Sequence, residues 1–276
     1  MTVHDYFLTG EEFYITGCQK CNLRFTNPKP SESEIMRYYD SANYISHSDS
    51  TKGFIGQIYK RARGITILQK SLFVKRLVKQ GKLLDIGCGT GDFLYHMQRR
   101  KFCVTGIEPN INARDSAVSK YQLDVRDEDS INNFERNYFD VITLWHVLEH
   151  VHFLNERLEQ IHKILKSEGY LFVAVPNFNS KDCNHYGKYW AAYDVPRHLY
   201  HFNLSSLPEA VGRFGFKLIN IKPLLFDAFY ISLLSEKLKY GKQNYFFGFM
   251  QGFLSNLQGL TTKNYSSNLF VFKKEN

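Results

Sequence analysis

The segment Leu83-Leu84-Asp85-Ile86-Gly87-Cys88-Gly89-Thr90-Gly91-Asp92-Phe93 constrains the fold more than any other stretch of the 276 residues. An apolar strand runs into glycines at alternate positions and then into a helix start. Such a unit lets the backbone turn tightly and approach a ligand where a side chain would collide. The free N–H groups at the helix start suit a carboxylate or another anionic group. From residue 82 onward, short apolar runs alternate with helical patterns, the arrangement of βα units around a parallel sheet. Strands are expected at 82–86, 102–107, 123–125, 139–144, 169–175, 216–223 and 269–272, and helices at 92–100, 111–121, 154–165 and 204–214. The fold class is therefore α/β, a doubly wound, mostly parallel seven-stranded sheet.

Two details select the ligand. A dinucleotide fingerprint places Gly or Ala three residues after its second glycine, and here that position is Asp92. The register fails, which argues against a nicotinamide oxidoreductase. The second detail is Asp85, an acid just before the glycines. It would repel a pyrophosphate but attract the ammonium of a methionine moiety, which favours S-adenosylmethionine, with S-adenosylhomocysteine as product. Glu108, in Val104-Thr105-Gly106-Ile107-Glu108-Pro109, ends the next strand. A carboxylate there can accept both ribose hydroxyls.

The motifs continue in order: Asp140-Val141-Ile142-Thr143-Leu144-Trp145-His146-Val147-Leu148-Glu149-His150-Val151, then Ile164-Leu165-Lys166-Ser167-Glu168-Gly169-Tyr170-Leu171 and Val175-Pro176-Asn177. Over roughly residues 80–220 this run resembles class I S-adenosylmethionine-dependent methyltransferases with a Rossmann-like fold, in the subgroup that includes the ubiquinone-biosynthesis O-methyltransferases. The resemblance implies a cofactor pocket formed by Asp85, Gly87, Cys88, Gly89, Gly91, Glu108 and Pro109. It also implies Trp145 and His146 beside the transferring methyl. A Trp face suits a sulfonium cation. Asp127, after the third strand, is a candidate for the adenine amino group, in competition with neighbouring acids.

Methyl transfer is an in-line displacement in which the protein aligns the acceptor and excludes water. A base is needed only where the acceptor carries a proton to be removed. His146 and His198 are the candidate base or acceptor-orienting groups. His198 stands in Tyr193-Asp194-Val195-Pro196-Arg197-His198, which resembles a Pro-Arg-His segment of the same methyltransferase group. His150 is expected to cap or orient the following helix.

Three segments are expected: a small N-terminal part at 1–50, amphipathic basic lid helices at 51–80, and the cofactor-binding domain at 81–276 with an aromatic insertion at 225–266. Cys18 and Cys21 resemble the second half of a small zinc ribbon, but two thiolates do not complete a tetrahedral site, and the expectation is no bound metal. His4 or Asp5 are the residues that could assist. Tyr44 and His47 lie in a stretch suited to close over the cofactor. Nine Lys or Arg and no acid occur between Ser50 and Leu84, so residues 52–82 offer either a solvated basic face or a contact for an anionic ligand or a membrane surface. The run Tyr245-Phe246-Phe247-Gly248-Phe249-Met250 is expected to pack in the core or at a dimer contact. An acceptor lid for a quinone- or lipid-like substrate is its other reading.

An odd count of five cysteines, with neither a secretory pattern nor a membrane-spanning run, points to the cytoplasm. The acceptor is expected to be a small molecule. Two rival readings are an RNA methyltransferase and a non-catalytic cofactor-binding or interaction protein. The first lacks the Pro-Pro-Tyr and Pro-Cys signatures of base-modifying enzymes, which argues against nucleic acid. The second would bind cofactor without turnover.

Overall fold

The computed structural model describes residues 1–39 and 54–275, with side chains from residue 61 in the helix that opens the second part. Tyr44 and His47 lie outside the described residues. The elements in chain order are β1 (Thr2–His4), β2 (Glu12–Gly17), β3 (Arg24–Asn27), α1 (Glu32–Ile35), α2 (Phe54–Leu77), β4 (Gly81–Ile86), α3 (Asp92–Gln98), β5 (Phe102–Ile107), α4 (Ile111–Tyr121) and β6 (Asp124–Arg126). There follow β7 (Phe139–Trp145), α5 (Leu154–Ile164), β8 (Leu165–Pro176), α6 (Lys181–Tyr186), β9 (Tyr200–His201), α7 (Ser206–Gly212), β10 (Phe216–Pro223), α8 (Leu225–Tyr240), α9 (Tyr245–Thr262) and β11 (Ser267–Lys274).

The large sheet is ordered β10-β11-β8-β7-β4-β5-β6. Its strands run parallel except β11, which pairs antiparallel with both neighbours. From β4 the chain proceeds outward to β5 and β6, then returns to the other side as β7. The crevice beyond the C-terminal ends of β4 and β7 is thus the topological switch point, where open α/β sheets bind ligands.

Consecutive strand residues feed opposite cores. Leu84, Ile142, Val173 and Phe270 enter one cluster, while their neighbours Leu83, Val141, Phe172 and Leu269 enter the other. Both faces are buried, so strands such as β8 over 171–175 and β11 over 269–272 read as continuous apolar runs.

A second, four-stranded sheet was not expected. It is ordered β1-β2-β3-β9, so Tyr200–His201 completes the N-terminal hairpin strands. A buried ion pair reinforces the junction: Arg197 Nη2 donates to Asp5 Oδ1 at 2.8 Å and its Nη1 to the Tyr38 carbonyl at 2.8 Å.

Two expectations are corrected. In α2, Ile65, Leu68, Leu72 and Leu77 are exposed, although their spacing suggested an inward stripe. Ser71 and Val74 are buried instead, Val74 in the core with Leu83, Phe93 and Leu94 and Ser71 donating to the Leu68 carbonyl of its own helix. In α9 the aromatic run faces outward, with Phe246 68% exposed, rather than into the core. Its inner face is Gly248, Gly252, Ser255 and Gly259. Buried Asp182 anchors this helix by accepting from Trp190 Nε1 at 2.7 Å and from Ser255 and Ser266 Oγ, each at 2.6 Å.

Candidate active site at the sheet switch point

The β4 turn carries three glycines for different reasons. A Cβ at Gly87 would lie 2.4 Å from Val147, and one at Gly91 2.6 Å from Leu123, so these two permit close packing. Gly89, with φ +54°, faces nothing within 4 Å. A side chain there would project into the open crevice, and its absence leaves room for a ligand against the backbone. Cys88 is half-buried, and burial raises its thiol pKa, so it lines the turn as a neutral group.

Glu108 is held at the end of β5. Its Oε2 accepts from the Gly89 N–H at 2.8 Å and its Oε1 from the Asn110 N–H at 3.0 Å. Burial raises its pKa, against these two amides. The adjoining Pro109 carbonyl accepts from Arg114 Nη1 at 2.7 Å. Each carboxylate oxygen keeps acceptor capacity for a diol.

Asp85 is buried and accepts from Thr143 Oγ1 at 2.6 Å. Burial pushes its pKa up to about 7, despite the Thr143 hydroxyl and the Lys70 ammonium. A carboxyl poised there must be ionised to hold an ammonium. S-adenosylhomocysteine affinity is therefore expected to rise about tenfold per pH unit below pH ~7 and to level off above it. Calorimetric titrations across that range check this, and Asp85→Asn should flatten the slope. A slope that persists in Asp85→Asn would assign the proton to another group.

Helix α2 roofs the crevice. Arg63 pairs with Asp92 and donates to Thr90 Oγ1 at 3.2 Å. Lys70 Nζ lies 4.7 Å from the Trp145 ring centroid. Burial lowers the Lys70 pKa, opposed by Asp227 and Asp85. Two of the basic side chains of 52–82 thus point into the nucleotide crevice. Trp145 also receives Phe93 edge-on at 5.3 Å, and its Nε1 is buried without a hydrogen-bond partner. Asp127 is exposed, and its Oδ1 caps the following turn by accepting from Ser130 N at 3.0 Å and Ser130 Oγ at 2.7 Å.

Beyond Trp145 the strand end supplies acids and histidines to a cavity of about 280 Å³. His146 adopts φ +60°, a left-handed conformation that non-glycine residues hold at a cost and that recurs at functional sites. Its Nε2 lies 2.9 Å from Asp227 Oδ2 and its Nδ1 3.5 Å from Glu149 Oε1. Burial disfavours the imidazolium, but the two carboxylates prevail and raise its pKa to about 9. Glu149 is 1% exposed, its Oε1 faces the His146 ring, and its Oε2 has no hydrogen-bond partner. Burial raises its pKa, but the hydrogen bond from His146 first, and then the charges of His198, His146 and His150, prevail and lower it.

His198 lines the same cavity and directs Nδ1 at the Ala192 carbonyl, 2.8 Å away. A carbonyl only accepts, so Nδ1 carries the proton and Nε2 is left as the acceptor in the neutral ring. His150 does not cap α5, which corrects that expectation. Its Nδ1 meets Tyr39 Oη at 3.0 Å and the Arg197 carbonyl at 3.1 Å, and burial beside His198 drops its pKa to about 4. Among the described residues, Glu149, His150 and His198 are the group of three whose ligand atoms lie within 4.8 Å of one another. Asp5 is committed to Arg197 and to Thr9, and His4 faces Glu12.

The structure thus gathers Asp85, Gly87, Cys88, Gly89, Gly91, Glu108 and Pro109 around one turn, and His146 and His198 around an adjoining cavity. Three further residues complete the site. Asp227 sits in the first turn of α8, where an acid is ordinary helix chemistry, so nothing in the sequence selects it. Lys70 is one of nine basic residues in its segment. Glu149 stands in a recognisable motif, but its burial beside His146 and His198 shows only in three dimensions.

A switch-point crevice with an acid before the glycine turn and a second acid ending the neighbouring strand defines a class I S-adenosylmethionine-dependent methyltransferase, with S-adenosylmethionine as cofactor. The chain belongs to the methyltransferase domain family, whose model matches residues 59–221. It is similar to an uncharacterized methyltransferase of Alkaliphilus oremlandii, at 26% identity over 147 residues, 52% of this chain and 65% of that protein. It is also similar to the ubiquinone biosynthesis O-methyltransferase of Glaesserella parasuis, at 34% identity over 113 residues, 36% of this chain and 47% of that protein. The chain thus spans less than two thirds of these relatives. Among solved structures, phosphoethanolamine N-methyltransferase 2 of Haemonchus contortus shares the fold with a TM-score of 0.56 and 20% identity, over 92% of this chain and 62% of that one. A methyltransferase from Archaeoglobus fulgidus does so with a TM-score of 0.54 and 18% identity, over 80% of this chain and 100% of that one.

Proposed function

We propose that this chain transfers a methyl group to a hydroxyl of a small molecule with an apolar body, in the manner of a quinone- or lipid-like acceptor. The observation that carries this reading is the cavity past the end of β7, where His198 and the buried Glu149 face Ala191, Ala192, Tyr230, Ile231 and Leu234. When bound, S-adenosylmethionine supplies a methyl group already activated on sulfonium. Asp85 holds the ammonium end, Glu108 the ribose, and Trp145 lines the sulfonium region. Arg63 and Lys70 on α2 supply the anionic-ligand contact of the basic segment, toward the methionine carboxylate. The adenine amino group falls to Asp127, whose Oδ2 is clear of the Ser130 cap.

Of the two histidines, His146 is committed on both ring nitrogens to carboxylates and stays an imidazolium at neutral pH, so it is a positioning residue. His198 Nε2 receives the acceptor's hydroxyl proton as its oxygen takes the methyl group. Glu149 steadies the resulting imidazolium. The ubiquinone biosynthesis O-methyltransferases carry the same class of acceptor in their names, which supports the reading. A cytoplasmic enzyme fits five free cysteines, and among the described residues no helix is long and apolar enough to cross a membrane.

The test is release of S-adenosylhomocysteine from S-adenosylmethionine with three acceptor sets: hydroxylated aromatics with prenyl or alkyl tails, primary amines, and RNA. Turnover confined to the first set is expected. Turnover with amines only, or with RNA only, would replace the hydroxyl reading. Cofactor binding without turnover on any set would favour the non-catalytic one.

A further inference from the structure

Helix α9 inverts the usual arrangement of an amphipathic helix. The small residues face inward. A Cβ at Gly248 would lie 2.8 Å from Leu233, and one at Gly252 2.8 Å from the Phe229 backbone, so α9 rests directly on α8. The large side chains face outward along one stripe: Phe246 is 68% exposed, Phe249 58%, Phe253 50%, Leu257 51% and Leu260 60%. From Tyr245 to Thr262 no charged residue occurs. Lysines stand at both ends instead, Lys237 and Lys242 before the helix and Lys263 after it, all exposed. The two acids of the hairpin do not offset them. Asp227 faces His146 in the cavity, and Glu236 is buried, accepting from Tyr186 Oη at 3.0 Å.

We propose that this outer face of α9 docks on an anionic phospholipid surface. A helix with an uncharged aromatic face and cations at its ends lies in the interfacial plane, with rings in the acyl boundary and ammonium groups among phosphates. The glycine face lets the whole aromatic stripe stand proud of α8 rather than be shared with it. Pairing of the same face with a second copy would bring the lysines of both chains together without an exposed carboxylate from the hairpin. The proposal is independent of the acceptor's identity. It also moves the membrane contact away from the basic helix α2, whose Arg63 and Lys70 are occupied in the crevice.

The full chain should co-sediment with vesicles of phosphatidylcholine and phosphatidylglycerol, and much less with phosphatidylcholine alone. In F246S/F253S the partition should fall at least tenfold, with thermal melting and S-adenosylhomocysteine affinity unchanged, since both rings are exposed and away from the site. K237Q/K242Q/K263Q should remove the preference for the anionic lipid. Failure to co-sediment, or equal partition of F246S/F253S, would overturn the proposal. So would a dimer seen by sedimentation velocity that F246S/F253S dissolves while vesicles bind neither form, which would give the face to a second copy.

Discussion

Glu108→Ala is expected to weaken S-adenosylhomocysteine binding by about two to three orders of magnitude, roughly 3–4 kcal/mol. Two effects combine. The carboxylate accepts hydrogen bonds from a ribose diol, and bonds to a charged group contribute about 1.5–3 kcal/mol each. It also ties the Gly89 amide to the end of β5, 2.8 Å away, so its loss loosens the turn that the cofactor rests on. Glu108→Gln should lose less, because one oxygen remains to accept from Gly89 or from a hydroxyl. Calorimetric titration checks both variants, with NAD as a control ligand that should not bind. An alanine variant within fivefold of the parent would mean that the ribose lies elsewhere. Binding of NAD instead would withdraw the reading of the glycine turn.

The parts of this site that were legible in the sequence are those fixed by short-range backbone geometry. Asp85, the glycines and Glu108 lie on two adjacent strand ends, and parallel pairing in register, Asp85 opposite Gly106, brings them together once the strands are recognised. The strands are recognisable because both sheet faces are covered, which keeps residues such as 171–175 uniformly apolar. The N-terminal sheet is not, because its fourth strand, Tyr200–His201, comes from the far side of the chain and is two residues long. The α8–α9 hairpin misled for a different reason. Patterning rules assume that large apolar residues mark the buried side, whereas here glycines and a serine do. Asp227 and Lys70 reach the site through that hairpin and through α2, so their role depends on tertiary packing that no local motif encodes. The same dependence explains why the two histidines read alike in sequence yet differ in the fold. His146 is enclosed by Asp227 and Glu149, while His198 has one nitrogen committed to a carbonyl.

That difference yields the second large effect. His198→Ala is expected to lower turnover by about 10²–10⁴-fold, the usual range for loss of a positioned base, while S-adenosylhomocysteine affinity stays within about threefold. The reasoning rests on tautomer and place. The Ala192 carbonyl fixes the proton on Nδ1, and Nε2, with Asp194 Oδ2 3.9 Å away, makes no hydrogen bond and can accept where Asp194 and Glu149 stabilise the charged ring. His198 borders the acceptor cavity rather than the glycine turn, so cofactor binding should not register its loss. His198→Gln separates two roles, because the amide can orient a hydroxyl by hydrogen bonding but cannot take its proton. If Gln restores turnover to near the parent, His198 orients the acceptor. If Gln and Ala are equally slow, proton transfer is its task. Unchanged turnover in His198→Ala would remove this residue from the reaction and leave Glu149, a buried carboxylate on the cavity wall whose Oε2 has no hydrogen-bond partner, as the group to test for proton uptake.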